Sequence, residues 1–303
     1  MICSPLNYTG GKYRLLPQIL PLFPDGINTF VDLFCGGCNV GINVPAAVHL
    51  YNDVSEPLVS LLSLMGRMSA DGFLKKVGEV IRAYGLSDVK TNGYGYYGCD
   101  SSSGLGSFNR EPYTRLRDDF NRLTDRNDEY YIKLYVLIVF AFNNQIRFNG
   151  NGEFNLPVGK RDFNGRMAGK VRSFMTALHD QNAVFTSRDF TALDLSGLKP
   201  GDFVYADPPY LITRASYNEQ GGWGEDRERQ LLSLLDSLSS RGIRFALSNV
   251  LEAKGRTNEI LLDWLNDRPG FRVVDLEYSY GNANYQRRHR DMKTREVLIT
   301  GPQ

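Results

Sequence analysis

The chain has 303 residues, 42% of them apolar and 23% charged, with a formal net charge of +1. That length accommodates a core domain plus one inserted domain and a sizeable buried core. Cysteines at positions 3, 35, 38 and 99 exclude a disulfide framework in a chain this long, and the longest apolar run, Leu134 to Phe142, is too short to span a bilayer.

Near the start, Asn7-Tyr8-Thr9-Gly10-Gly11-Lys12-Tyr13 is a glycine turn flanked by aromatics and carrying one lysine. No charged-then-apolar leader is seen, so the expectation is a soluble, cytoplasmic protein. Residues 1 to 24 carry Lys12 and Arg14 and no acid. Next, Phe30-Val31-Asp32-Leu33-Phe34 reads as an apolar strand. It runs into the glycine-rich turn Cys35-Gly36-Gly37-Cys38 and an apolar stretch that can open a helix. Glycines in such a turn let backbone approach a nucleotide-type ligand, although G-x-G-x-x-G is not met. A second strand, Val48 to Asn52, ends at Asp53, where a carboxylate can accept both hydroxyl hydrogens of a ribose. The C-x-x-C of Cys35 and Cys38 has no second pair, and His49, His179 and His289 lack ligand spacing, so no metal is expected.

The texture then changes. Residues 57 to 83 read helical, 84 to 110 are rich in Gly, Tyr and Ser and read as a mobile excursion, and 113 to 142 return to helix. An Asn-, Gly- and Arg-containing hairpin region follows over 143 to 170. Strand and helix signals resume after about 184, with Leu231, Leu234, Leu235 and Leu238 forming one apolar helix stripe. The organisation read from this is one domain of residues 1–56 and 184–303, with a mostly helical domain inserted over 57–183. Alternating strands and helices with acidic strand ends imply an α/β, mostly parallel sheet.

Within the last segment, the apolar run Phe203-Val204-Tyr205-Ala206 ends at Asp207-Pro208-Pro209-Tyr210. Two prolines stiffen the chain just past the strand. One carboxylate, free carbonyls and an aromatic face are what a planar amino-heterocycle needs: acceptors for its –NH₂ and a ring to stack on. Alone, the tetrapeptide is also compatible with a surface turn. Further on, Arg287, Arg288, Arg290, Lys293 and Arg295 stand against one acid, Asp291, a cluster able to neutralise phosphates.

Taken together, Tyr8-Thr9-Gly10-Gly11-Lys12, Asp32-Leu33-Phe34-Cys35-Gly36-Gly37, Asn52-Asp53 and Asp207-Pro208-Pro209-Tyr210 resemble, in that order, the Dam-type DNA adenine-N6 methyltransferases. Arg147 to Gly159 is similar to that family's recognition hairpin, and Phe245 to Asn249 and Arg295 to Ile299 to two of its strands. The chain departs from the pattern at Cys38, where a glycine is usual, and at Asn7, where several relatives carry a basic residue.

The resemblance implies a Rossmann-like seven-stranded sheet with one antiparallel edge element near Arg295 to Thr300, S-adenosylmethionine as cofactor and double-stranded DNA as partner. It implies that residues 1–56 and 184–303 are the catalytic, cofactor-binding domain and 57–183 the target-recognition domain, with catalysis by Asp207, Pro208, Pro209 and Tyr210. Cofactor contacts would come from Tyr8, Lys12, Phe34, Gly36, Asp53, Asp189, Phe190 and Asp207, with Lys12 near the cofactor carboxylate. Asn7, Asn144, Arg147, Asn149 and Pro157 would face DNA, with Arg147 reading a guanine. The expected reaction methylates N6 of a flipped adenine in a GATC-like site, and a cognate restriction endonuclease is an expected companion. Two other readings remain at this stage: a methyltransferase acting on cytosine N4, RNA adenine or a protein amide, and a silent binding module on the same fold.

Overall fold

The computed structural model describes residues 1–8, 10–213, 222–277 and 294–301. Thr9, and Arg287, Arg288, Arg290 and Lys293 of the basic run, lie outside the described residues. The chain divides into two compact units: Met1–Gly11, Gly36–Asn43 and Ser55–Phe185 form one, and Lys12–Cys35, Val44–Val54 and Thr186–Gln303 the other. The expected boundary left residues 1–56 undivided. The division of that stretch has a local cause, because side-chain amides tie the first residues to the segment after the glycine turn. Asn43 Oδ1 accepts from the Ile2 N–H at 2.6 Å, and Asn39 Oδ1 accepts from the Ser4 N–H at 3.0 Å.

The second unit is built on a mixed sheet. The strands of that sheet are β1 (Ile27–Asp32), β2 (Ala46–Asn52), β3 (Ala183–Thr186), of which only Thr186 falls in the second unit, β4 (Phe203–Ala206), β5 (Arg244–Ala253), β6 (Arg256–Thr257), β7 (Arg272–Leu276) and β8 (Arg295–Thr300). Their order is β3-β2-β1-β4-β5-β8-β7, with β6 folded back on β5. β1 is parallel to β2 and β4, and β4 to β5, whereas β8 is antiparallel to both β5 and β7. Parallel strands covered on both faces read as continuous apolar runs, and all four residues of β4 are buried.

Arg295–Thr300 is antiparallel as expected, but it is not the edge element. It lies between β5 and β7, and β7 takes the edge. Composition explains the exchange: Val297, Leu298 and Ile299 are fully buried, while β7 carries Arg272 and Asp275 and exposes most of its residues.

The helices of this unit are α1 (Leu16–Ile19), α8 (Glu225–Ser240) and α9 (Glu259–Asn266). Leu231, Leu232, Leu235 and Leu238 of α8 join Val31, Val204, Phe245, Leu247, Trp264 and Ile299 in one apolar core. The glycine turn does not open a helix. A single 3₁₀ turn, Gly41–Asn43, follows it, because Pro45 removes an N–H and pushes Val44 toward extended geometry.

The first unit is helical: α2 (Glu56–Arg67), α3 (Ala70–Tyr84), α4 (Val89–Tyr96), α5 (Gly106–Asn121), α6 (Asp128–Phe140) and α7 (Gly165–His179). The residues read as one helix from 57 to 83 are two, because Ser69 is extended and caps α3 by accepting from the Gly72 N–H. α6 is buried on all sides, from Tyr130 to Phe140 with Lys133 at its rim, as expected of a central helix. The stretch 84–110 is partly helical rather than wholly irregular: it holds α4, kinked at Gly93 (φ +74°), and the start of α5. Asp88 caps α4, Asp162 accepts from the Val89 N–H at 2.7 Å, and Asn109 links to Ser87. The hairpin region is a pair of strand-like segments joined by isolated bridges, Ala141 to Val158 and Phe148 to Phe154. A Cβ on Gly159 would lie 2.5 Å from the Ala141 carbonyl oxygen, so only glycine permits that approach.

Candidate active site

The parallel strands deliver their ends to one side of the sheet, where α/β folds place their ligands. Asn52, fully buried at the end of β2, organises these ends. Its Nδ2 donates to the carbonyls of Leu33 at 3.1 Å and Arg188 at 3.0 Å. Its Oδ1 accepts from the Thr186 hydroxyl at 2.9 Å and the Arg188 N–H at 3.1 Å, and its carbonyl accepts from the Cys35 N–H. This buried amide thus spends its hydrogen-bonding capacity on the ends of neighbouring chain segments. Asp53 follows it and is nearly buried at 7% exposure.

Past β4, Asp207-Pro208-Pro209-Tyr210 leaves the strand without regular structure. Lys12, in the 3₁₀ turn Lys12–Leu15, is 3% exposed. Its ammonium lies 2.9 Å from Asp207 Oδ2 and 3.6 Å from Glu296 Oε1, and 5.0 Å from the Tyr210 ring centre. The Tyr210 hydroxyl is 3.0 Å from Asp207 Oδ1 and 3.0 Å from Glu296 Oε1. Burial pushes the Asp207 carboxyl above its ordinary range, against the opposing pull of Lys12 and the Tyr210 hydroxyl. Burial likewise raises Glu296, which Lys12 lowers and Asp207 raises again. Tyr210 is raised well above a normal phenol by burial and by both carboxylates.

Phe34, Phe190 and Trp223 form a second cluster, with ring centres 5.4 to 5.6 Å apart. The Arg227 guanidinium stacks 4.4 Å from the Phe190 ring and pairs with Asp189. Asp189 also accepts from the Thr191 N–H at 3.0 Å and caps the short turn that holds Phe190. Burial works against its charge, yet Thr191 and Arg227 hold Asp189 below its ordinary range.

In the first unit, Tyr8 packs on the glycine turn. A Cβ on Gly36 would sit 2.8 Å from the Tyr8 ring, and Gly36 has φ +47°. Two residues on, Cys38 adopts φ +58° without being glycine, and its side chain is fully buried. The same unit carries the loop from 142 to 158. Asn143 and Asn144 are both left-handed, at φ +56° and +53°. The Asn7 side chain donates to the Asn143 carbonyl at 2.8 Å, and the Asn144 side chain donates to the Val139 carbonyl. Arg147 is exposed, with Nε on Asn155 Oδ1 at 2.7 Å and one terminal nitrogen on the Asn155 carbonyl at 3.2 Å. Asn149 closes its own turn, accepting from the Asn151 and Glu153 N–H groups, while Pro157 is exposed and its carbonyl accepts from the Phe142 N–H.

The structure therefore brings Lys12, Asp207 and Tyr210 together, and Phe34, Asp189 and Phe190. It pairs Tyr8 with Gly36, and Asn7 with the loop that carries Asn144 and Arg147. Sequence reasoning passed over Glu296, Trp223, Arg227 and Asn52 as site residues. Glu296 had a signal: it is an acid inside a strand whose next three residues are apolar. Among the described residues, no three His, Cys, Asp or Glu are grouped to hold a metal ion. No helix of the described residues is long and apolar enough to cross a membrane.

A parallel-rich sheet with an acid–proline–proline–tyrosine segment at a strand end is consistent with a Rossmann-like methyltransferase fold. The chain belongs to the D12 class N6 adenine-specific DNA methyltransferase family, whose model matches residues 8–281. It is 40% identical over 305 residues to modification methylase StsI of Streptococcus sanguinis, covering 99% of this chain and 43% of that protein. It is 39% identical to type II methyltransferase M.FokI of Planomicrobium okeanokoites, with the same shares covered. DNA adenine methylase of Escherichia coli is 26% identical over 248 residues, 80% of this chain and 79% of that protein. The chain thus spans less than half the length of the first two relatives.

Proposed function

We propose that the protein transfers a methyl group from S-adenosylmethionine to N6 of adenine in a specific double-stranded DNA sequence. The observation that carries this reading is the Lys12–Asp207–Tyr210 cluster at the end of β4, in a chain of this family. The adenine amino nitrogen is a poor nucleophile because its lone pair is delocalised into the ring. With Asp207 accepting one N–H and the Pro208 carbonyl the other, that nitrogen can pyramidalise and aim its lone pair outward. The protein's contribution is orientation and electrostatics, with no covalent intermediate. Lys12 opposes the burial that raises the Asp207 carboxyl, and the Tyr210 ring offers a stacking face for a base flipped out of the duplex.

The residues of the strand ends suit the cofactor. Phe34 and Phe190 supply an apolar aromatic surface, and Asp53 is a carboxylate at the strand tip where a ribose diol is held. The cofactor itself would supply a sulfonium-bound, electrophilic methyl group. Lys12, Asp189, Tyr8 and Gly36 are assigned to it on the resemblance. For Lys12 the geometry favours a different emphasis, since its ammonium already lies against Asp207. We assign the first unit to target recognition, with Arg147 reading a guanine and Asn7, Asn144, Asn149 and Pro157 shaping or lining the DNA-facing loop, in a GATC-like site. One relative is named a modification methylase and another a type II methyltransferase, so a cytoplasmic role beside a cognate restriction endonuclease belongs to the same reading. Tritiated-methyl transfer to duplexes with adenine replaced by N6-blocked analogues tests it. Label should enter only duplexes with a free adenine N6, and equal labelling of the blocked duplex would overturn it.

A further inference from the structure

Glu296 reaches the Asp207 cluster from β8, and the cluster's protons do not add up if both carboxyls are ionised. The Tyr210 oxygen is 3.0 Å from Asp207 Oδ1 and equally 3.0 Å from Glu296 Oε1. A phenol has one hydrogen to donate, and an ionised carboxylate only accepts. One of the two contacts would then set lone pair against lone pair at hydrogen-bond distance. Lys12 does not resolve the conflict, because its ammonium is 3.6 Å from the same Glu296 oxygen, beyond hydrogen-bonding range.

We propose that Glu296 is a positioning residue held in its protonated form, donating to the Tyr210 oxygen so that the Tyr210 hydroxyl must donate to Asp207. The proton belongs on Glu296 rather than Asp207 because Lys12 contacts Asp207 at 2.9 Å. The cluster is then neutral overall, with Lys12 positive, Asp207 negative, and Glu296 and Tyr210 uncharged. Among the described residues, two ionised carboxyls against one ammonium would leave a net charge where Lys12, Asp207 and Glu296 are 3%, 19% and 13% exposed, which is costly. The surroundings agree. Burial raises Glu296, Lys12 pulls it down, Asp207 raises it again, and hydrogen bonding from Tyr210 and Lys12 lowers it, with the balance above the ordinary range. Among the described residues Tyr205 of β4 also feels Glu296, and burial with the nearby carboxylates raises it well above a normal phenol. The residues paired with Glu296 on the flanking strands, Val250 and Leu276, are apolar. The neighbouring Arg295 is satisfied by Asp275 at 2.8 Å.

The consequence is directional. With the Tyr210 hydrogen committed to Oδ1 and Lys12 to Oδ2, the Asp207 carboxylate is held in one rotation, ready to accept from an amino group. The kinetic part of this inference rests on the methyltransferase reading; the protonation does not. The test is selective ¹³C labelling of glutamate side-chain carboxyls, with Glu296 assigned as the resonance missing from Glu296→Gln. At neutral pH that resonance should sit at the position of a neutral acid and move to the ionised position only as pH is raised. A resonance already at the ionised position at neutral pH would overturn the proposal, whether or not the protein is active.

In methyl transfer, Glu296→Gln retains a neutral donor and should keep near wild-type kcat while losing the alkaline limb of the pH profile. Glu296→Ala should lower kcat by about 10- to 100-fold with little change in KM for DNA, as misorientation does. Equal losses in the two variants would also overturn it.

Discussion

The cluster behind β4 and the loop from 142 to 158 are both polar, yet they are held in opposite ways. In the cluster, Lys12, Asp207, Tyr210 and Glu296 are largely buried and interlocked, so each side chain fixes the charge or direction of the next. In the loop, Arg147 and Pro157 are exposed, and the backbone is shaped by local turns at Asn143, Asn144 and Asn149. Chemistry on one nitrogen needs a preorganised site that excludes water. A surface that must meet a large partner can keep its reading groups in solvent and fix only their base. Damage in the first region should therefore spread through all turnover, and damage in the second should be selective.

The largest expected effect is that of Asp207→Ala. With the oriented acceptor gone, kcat should fall by about 10²-fold or more, with folding and DNA binding retained. Turnover within about tenfold of wild type would break the comparison at its strongest point. Lys12→Met should act on the same carboxylate through pH. In the proposed reaction Asp207 acts ionised; burial raises that group and Lys12 opposes the rise. Removing Lys12 should therefore move the acid limb of the pH–rate profile to higher pH. An unmoved limb in a stopped-time assay would show that Lys12 does not set the charge of Asp207.

A smaller effect is expected at the cofactor. Asp53→Ala should weaken S-adenosylmethionine binding by about 1.5–3 kcal/mol, the usual loss for a charge-assisted hydrogen bond. Calorimetry returning wild-type affinity would place the ribose elsewhere. Arg147→Ala sharpens the other half of the comparison. It should relax discrimination by about 1–3 kcal/mol at one base pair and leave the remaining positions as they were. Duplexes altered one position at a time read this directly, and a uniform loss across them would make Arg147 a phosphate contact. The smallest change is expected for Asn149→Ala, which removes turn-closing hydrogen bonds and should cost about 0.5–1.5 kcal/mol of stability in denaturant unfolding. No change in midpoint would mean that the turn is held by backbone alone.

Much of the second unit was legible in sequence because its signals are strong and local. β4 is an apolar run, β1 and β8 carry the short apolar stretches Phe30-Val31 and Val297 to Ile299, the α8 stripe repeats at helical spacing, and prolines mark the end of β4. What escaped depended on neighbours distant in sequence. Nothing around Gly93 to Gly98 announces a helix, which is stabilised by the Asp88 cap and by Asp162 more than seventy residues on. The expected helix after the glycine turn failed on one residue, Pro45, which the periodicity did not weigh. β8 was recognised as antiparallel but not as internal, since an edge is decided by which strand pairs beyond it. Glu296 illustrates the same limit for the site. Its meaning comes from Lys12, Asp207 and Tyr210, which the fold brings to it from elsewhere in the chain.

The most direct test of the central claim is modified-base sequencing of DNA from cells expressing the wild-type chain and Asp207→Ala. The account predicts N6-methyladenine at one adenine of a single short sequence throughout the wild-type sample, and its absence from the variant sample. Methylation on cytosine, none on adenine in the wild-type sample, or an undiminished adenine signal with Asp207→Ala would contradict it.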